Sequence, residues 1–316
     1  MDGPVPFVKG HMGGNEIVLV NREYLPESGE LELGLRILNA PHVRGDQLGL
    51  IHEGDDRDGG IGVKIIDNNS RDYLPVCGGL TQVFGRAYSD LQLGRVLDIE
   101  LPGGLEEVDL EMELGTFPVS IRSGSGLGNV VSVMDSFLDK IYEDGVEQGS
   151  VAGVRSFRVG HFFVTFAEEI SREYPDANFH PLDEYTKGLL INLQREYREV
   201  FHTGKPNRDF AIVDPSKEGG MDGGLIFPHD PSRGLIEQSC GSGTVAVVVA
   251  LAESGEVSGS GTGELEFASG GEKEVLGGPE STRVEFQLTG GRVESISFTH
   301  SLVEVLARGE LFLPER

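Results

Sequence analysis

Two short segments, one in each half of this 316-residue chain, repeat one pattern: Cys77-Gly78-Gly79-Leu80-Thr81 and Cys240-Gly241-Ser242-Gly243-Thr244 share Cys-Gly-x-x-Thr. They hold the only two cysteines. Each segment follows a short apolar or turn element and precedes a helix-compatible apolar stretch, and Gly94-Arg95-Val96 and Gly255-Glu256-Val257 follow at nearly matching distances. The simplest reading is an internal duplication, with two similar domains facing each other. A glycine-rich turn entering a helix exposes backbone N–H groups, which can cradle an anion and lower the pKa of a neighbouring thiol.

The length suits two domains with separate cores. We expect a first domain from residues 1–122 plus 302–316, carrying Cys77, and a second from residues 123–301, carrying Cys240, with the glycine-rich 123–128 as the passage between them. Short β-branched runs at 16–20, 62–66, 263–268, 281–289 and 292–299 read as strands, the last two joined at Gly290-Gly291. Residues 303–312 read as a final strand. Helices are expected over 31–40, 81–91, 182–200 and 245–252, the third exposed and the fourth with β-branched residues that also fit a strand. Pro102-Gly103-Gly104 signals a hairpin between two strand-like stretches in 97–112.

The chain carries 52 acidic against 26 basic side chains, a formal charge of −26, which would repel a nucleic-acid backbone. The longest apolar run, Val245 to Ala252, is too short to span a bilayer, so no membrane partner is expected. The N-terminus lacks an export-signal pattern, and a cytoplasmic protein is the expectation. Two cysteines make neither a disulfide framework nor a cysteine-built zinc site, and no dinucleotide or phosphate-loop fingerprint occurs.

Inverting a carbon beside a carboxylate needs a base on one face, an acid on the other, and stabilisation of the growing negative charge. One thiolate and one thiol supply the first two, and N–H groups at helix mouths supply the third. No cofactor is needed for this. The same residues also fit two small buried core thiols or a redox pair, and spacing alone does not separate these readings.

The motifs together resemble the diaminopimelate epimerase superfamily, which also contains proline racemase-like enzymes. The resemblance is carried by His11-Met12-Gly13-Gly14-Asn15, Gly45-Asp46-Gln47-Leu48, Asn68 ahead of Cys77-Gly78-Gly79-Leu80, and Arg233-Gly234 ahead of Cys240-Gly241-Ser242-Gly243. It implies an α+β fold of two similar domains, each a mostly antiparallel sheet wrapped around a central helix, with the active site in the cleft between them. It implies a cofactor-independent racemase or epimerase acting on an amino acid or related small carboxylate, with Cys77 and Cys240 as the acid/base pair. Asn15, Asn68, Gly78, Gly79, His161, Arg233, Gly241 and Ser242 resemble substrate-binding positions, while Gln47 reads as turn support. A homodimer is compatible with this reading. The superfamily also includes double-bond isomerases and hydroxyproline-type dehydratases, and a non-catalytic ligand-binding protein is the remaining alternative. Ser232 replaces a family Glu, so that carboxylate is either absent or supplied by Glu237, and Gly79 and Leu80 replace Asn and Gly of the first motif.

Overall fold

The computed structural model describes residues 3–39, 41–54, 60–101, 106–122, 128–179, 183–201, 209–214, 222–230, 235–237, 239–269 and 280–312. The elements of the first half are β1 (Val5–Met12), β2 (Asn15–Asn21), α1 (Glu30–Leu38), β3 (Gln47–Glu53), β4 (Ile61–Asp67), β5 (Asp72–Leu74), α2 (Gly78–Leu91), α3 (Leu93–Leu97), β6 (Glu107–Met112), β7 (Gly115–Ile121) and β8 (Val130–Val133). There follow α4 (Asp135–Asp144), β9 (Val146–Val151), β10 (Val154–Val159), β11 (Phe162–Phe166), α5 (Ala167–Glu173), α6 (Glu184–Val200), β12 (Phe210–Asp214), β13 (Gly223–Asp230), β14 (Leu235–Glu237), α7 (Gly241–Ser254), β15 (Gly261–Ser269), β16 (Ser281–Thr289), β17 (Arg292–His300) and β18 (Val303–Leu311). The chain divides into two compact units, Met1–Ser136 with Thr299–Arg316, and Phe137–Phe298.

Strand pairing repeats between the units. In the first, β1 and β2 are antiparallel, β2 and β3 parallel, β3 and β4 antiparallel, β4 and β5 antiparallel, β4 and β6 parallel, and β6 and β7 antiparallel. The second runs through the same senses in the same order from β10 to β16. Even the outer neighbour corresponds, since β18 pairs antiparallel with β1 and β9 pairs antiparallel with β10. The cysteine echo therefore marks a duplication of the whole unit. This is the α+β architecture the sequence led us to expect, a mostly antiparallel sheet around one central helix in each unit.

Each central helix is set by packing. In α2, Leu80, Val83, Phe84 and Ala87 are wholly buried. Glycines let the surrounding strands approach it: a Cβ on Gly49 would stand 2.7 Å from a Leu80 methyl, and one on Gly10 2.8 Å from a Val83 methyl. In the reverse direction, a Cβ on helix residue Gly85 would meet methyls of Val130 and Val119 at 2.6 and 2.8 Å. Helix α7 is buried over every position from Val245 to Ala250. Burial on all sides explains how a run of β-branched valines with modest helix propensity is held as a helix.

Three local expectations are corrected. Residues 98–101 form no strand, because Leu97 ends α3, and the hairpin lies instead between β6 and β7, turning at Glu113-Leu114. Residues 102–105 and 123–127 lie outside the described residues. Helix α6 is only partly exposed, as Leu190, Leu193 and Tyr197 pack into the second unit's core against Phe163 and Phe210. The echo also stops short of the helix ends: Gly255 caps α7 in the left-handed conformation, whereas Gly94 lies inside α3 and Gln92 takes that conformation after α2. Among the described residues no helix is long and apolar enough to cross a membrane.

Candidate active site

Cys77 and Cys240 occupy the same local geometry. Each is the N-cap of its unit's central helix, with φ/ψ of −146°/111° for Cys77 and −134°/109° for Cys240. Each sulfur accepts a backbone N–H from three residues on, Leu80 N to Cys77 Sγ at 3.4 Å and Gly243 N to Cys240 Sγ at 3.4 Å. Sulfur thus stands where Ser, Asp or Asn commonly stands at a helix start. The helix dipole and its unpaired first-turn donors favour negative charge there. Neither cysteine forms a disulfide, and the two are 7% and 9% exposed.

The shared threonines anchor the two helix starts. Thr81 Oγ1 donates to Gly78 O at 2.7 Å, and Thr244 Oγ1 donates to Cys240 O at 2.8 Å, the local role expected of it. Gly243 is required by close approach, since a Cβ there would lie 2.6 Å from the Phe227 ring. Ser242 Oγ lies 3.5 Å from Cys240 Sγ. Ser239, immediately before Cys240, is buried with its hydroxyl lacking a hydrogen-bond partner among the described residues.

In the first unit the structure brings Asn15 to the Cys77 motif. A Cβ on Gly79 would stand 3.3 Å from Asn15 Nδ2, 3.6 Å from Met12 Cε and 3.8 Å from Cys77 Sγ. His11 fixes the hairpin that carries Asn15: its Nδ1 accepts from Gly14 N at 3.0 Å, and burial lowers its pKa against the raising effect of Glu304. Asn68 works through the neighbouring loop. Its backbone N–H donates to Asp46 O at 2.9 Å and its side chain to Gly45 O at 3.3 Å, while Asp46 accepts Glu16 N–H at 2.8 Å, next to Asn15. Asn68 and Asp46 therefore position the Asn15 end of β2.

Gln47 opens β3 and bonds to Asp67, which in turn accepts Ser70 N–H at 2.6 Å, consistent with the turn support expected of it. It is buried, its Nε2 donates to Asp67 Oδ1 at 3.0 Å, and its Oε1 has no hydrogen-bond partner among the described residues. It shares a strand face with Gly49, whose position packs on Leu80 at the start of α2. The signal for it in the sequence was a polar residue opening an otherwise apolar strand.

His161 sits in the turn between β10 and β11, its Nε2 3.5 Å from Asp209 and its ring against Phe137 and Phe162. None of these contacts belongs to the Cys240 motif. Arg233, with its neighbours Ser232 and Gly234, lies outside the described residues. Sequence reasoning missed the polar cluster behind α2, where wholly buried Gln82 donates to Val130 O at 3.2 Å and Ser132 Oγ at 2.8 Å and accepts His300 N–H at 3.3 Å.

The fold so described is shared with solved structures of PhzF-family proteins, proline and hydroxyproline racemases or epimerases, and an isomerase. A phenazine biosynthesis protein of the PhzF family from Bacillus anthracis matches 98% of this chain and 100% of its own, with a TM-score of 0.62 at 10% identity. A hydroxyproline epimerase from Agrobacterium vitis, solved with trans-4-hydroxy-L-proline bound, matches 98% of this chain and 91% of its own, with a TM-score of 0.61 at 13% identity. Methylitaconate-delta-isomerase matches with a TM-score of 0.55 at 13% identity, over 98% of this chain and 96% of its own. The sequence matches no protein-family profile and no curated protein. Likeness at these identities establishes the fold, and the reaction has to be argued from the residues.

Proposed function

We propose that this protein is a cofactor-independent racemase or epimerase that inverts the α carbon of an amino acid or related small carboxylate, with Cys77 and Cys240 as its acid/base pair. The observation that carries the reading is the matched pair of cysteine N-caps, alike in extended backbone conformation and in the N–H each sulfur accepts from three residues on. Two buried thiols kept only for packing would not need the same cap in both units.

In the reaction, one sulfur as thiolate takes the α proton and the electron pair of the broken C–H bond spreads into the carboxylate. The other sulfur, as thiol, delivers a proton to the opposite face of the planar carbon and becomes the thiolate. Atoms and charge balance, and the reverse reaction exchanges the roles. First-turn N–H groups of Gly78, Gly79, Gly241 and Ser242 are proposed to hold the carboxylate, where charge rises toward the transition state. Asn15, Asn68, Arg233 and His161 are proposed around the rest of the substrate, Asn68 through its hold on the Asp46 loop. The hydroxyproline bound in one structural neighbour supports a small amino-acid substrate.

A second reading is favoured by the likeness to methylitaconate-delta-isomerase: the same proton removal leads to double-bond migration or, on a hydroxyproline-type substrate, to dehydration. Incubation of L- and D-amino acids and hydroxyproline isomers in deuterated water separates these. Inversion places one deuterium at the stereocentre of the product and dehydration of a hydroxyproline releases water and yields an alkene, whereas migration needs an added β,γ-unsaturated acid and returns it with the double bond shifted and deuterium incorporated. Turnover that persists in folded Cys77→Ser and Cys240→Ser variants would sink the two-thiol reading.

A further inference from the structure

The two cysteine motifs are alike in backbone and unlike in what stands beside the sulfur. Beside Cys240 it is the Ser242 hydroxyl, 3.5 Å away on the same helix turn. At the matching position of the first motif stands Gly79, and its side-chain space is taken by the Asn15 amide and the Met12 methyl from the β1–β2 hairpin. A hydroxyl rotates freely, so it can accept from a thiol and donate to a thiolate without moving its oxygen. A donor to the charged form favours that form.

Strands β10, β11 and β12 pack along α7, and Phe227 of β13 meets its first turn at Gly243. The charged side chains of β10, β11 and β12 are Arg155, ion-paired with Glu169 and Glu256, Arg158, ion-paired with Glu147, and the buried Asp214 at the end of β12. Ser242 Oγ stands within hydrogen-bonding reach of the sulfur.

Resting on the two-thiol reading above, we infer that Ser242 is a positioning residue that orients Cys240 Sγ and favours its thiolate selectively, making the two thiols chemically unequal. The test is alkylation of the intact protein by iodoacetamide, a reagent small enough for largely buried thiols, across a pH series. Peptide mass spectrometry then resolves the rate at each cysteine. Ser242→Ala is expected to raise the midpoint of the Cys240 profile by about one pH unit, a tenfold loss of thiolate at neutral pH, and Ser242→Thr to restore it. The Cys77 profile is expected to stay in place in both variants.

A Cys240 midpoint within about 0.2 unit of the parent in Ser242→Ala, or an equal movement of Cys77, would overturn the inference. Thiolate absorbance in the Cys77→Ser background gives the Cys240 midpoint independently. Neither readout needs turnover, so a protein that fails the deuterium experiment can still show the Ser242 effect, and the two readings fail separately.

Discussion

Replacing His300 by Asn is expected to remove about 3 kcal/mol of acid-dependent destabilisation. His300 is wholly buried at the end of β17, its Nδ1 3.0 Å from both the N–H and the carbonyl of Leu302. Its pKa is pushed down to about 4 from 6.5, chiefly by burial and further by His11, with the Leu302 backbone opposing. The folded protein therefore keeps the ring neutral where the unfolded chain would protonate it. Above pH 6.5 this neutral ring carries no penalty. As the pH falls toward 4 the unfolded state gains a proton that the folded state refuses, and folding loses about 1.4 kcal/mol per pH unit over roughly 2.5 units.

Asn at this position offers an amide oxygen where Nδ1 accepts from Leu302 N–H, but cannot titrate. Urea denaturation of both proteins at steps from pH 7.5 to pH 4 reads the effect as the difference between their unfolding free energies. A constant offset from lost packing does not alter its slope, and the carboxylates titrate in both proteins. A difference that stays flat to within about 0.5 kcal/mol would refute the reasoning. So would an NMR titration of the native His300 ring with its midpoint near 6.5.

Other outcomes follow from the same structure. Gly85→Ala forces a methyl against the stiff side chains of Val119 and Val130, and is expected to cost about 1–2 kcal/mol by denaturant titration, the clash exceeding the gain in helix propensity. Glu30→Gln removes a buried carboxylate from Arg22, Lys64 and Tyr73. Both cations are about one-third exposed, so the loss should be about 2 kcal/mol rather than the larger cost of stranding a fully buried charge, and should lower the melting temperature. Ser239→Ala deletes a buried hydroxyl without a partner and should leave the ligand-free protein equally stable or about 1 kcal/mol more stable. A clear loss of stability would show that the hydroxyl is satisfied after all.

Local rules made much of this chain legible before any tertiary contact was known. Cys77 and Cys240 mark helix starts because glycine follows each and apolar residues recur behind it, and Gly290-Gly291 marks a hairpin because both residues take positive φ there. The proposed paired chemistry starts from the same signal, the whole cysteine content falling inside one repeated motif. What the residues did not reveal depends on partners distant along the chain. The stretch before Pro102 looked like a strand, but nothing pairs with it among the described residues. Asn15 meets Gly79 only because the β1–β2 hairpin closes over the start of α2, and Gln47 and Gln82 are buried by strands that come to them from elsewhere. Periodicity records that a side chain is to be buried, while strand pairing decides against what. The apolar run of α7 carries no face at all, and only enclosure by its sheet settles that it is a helix.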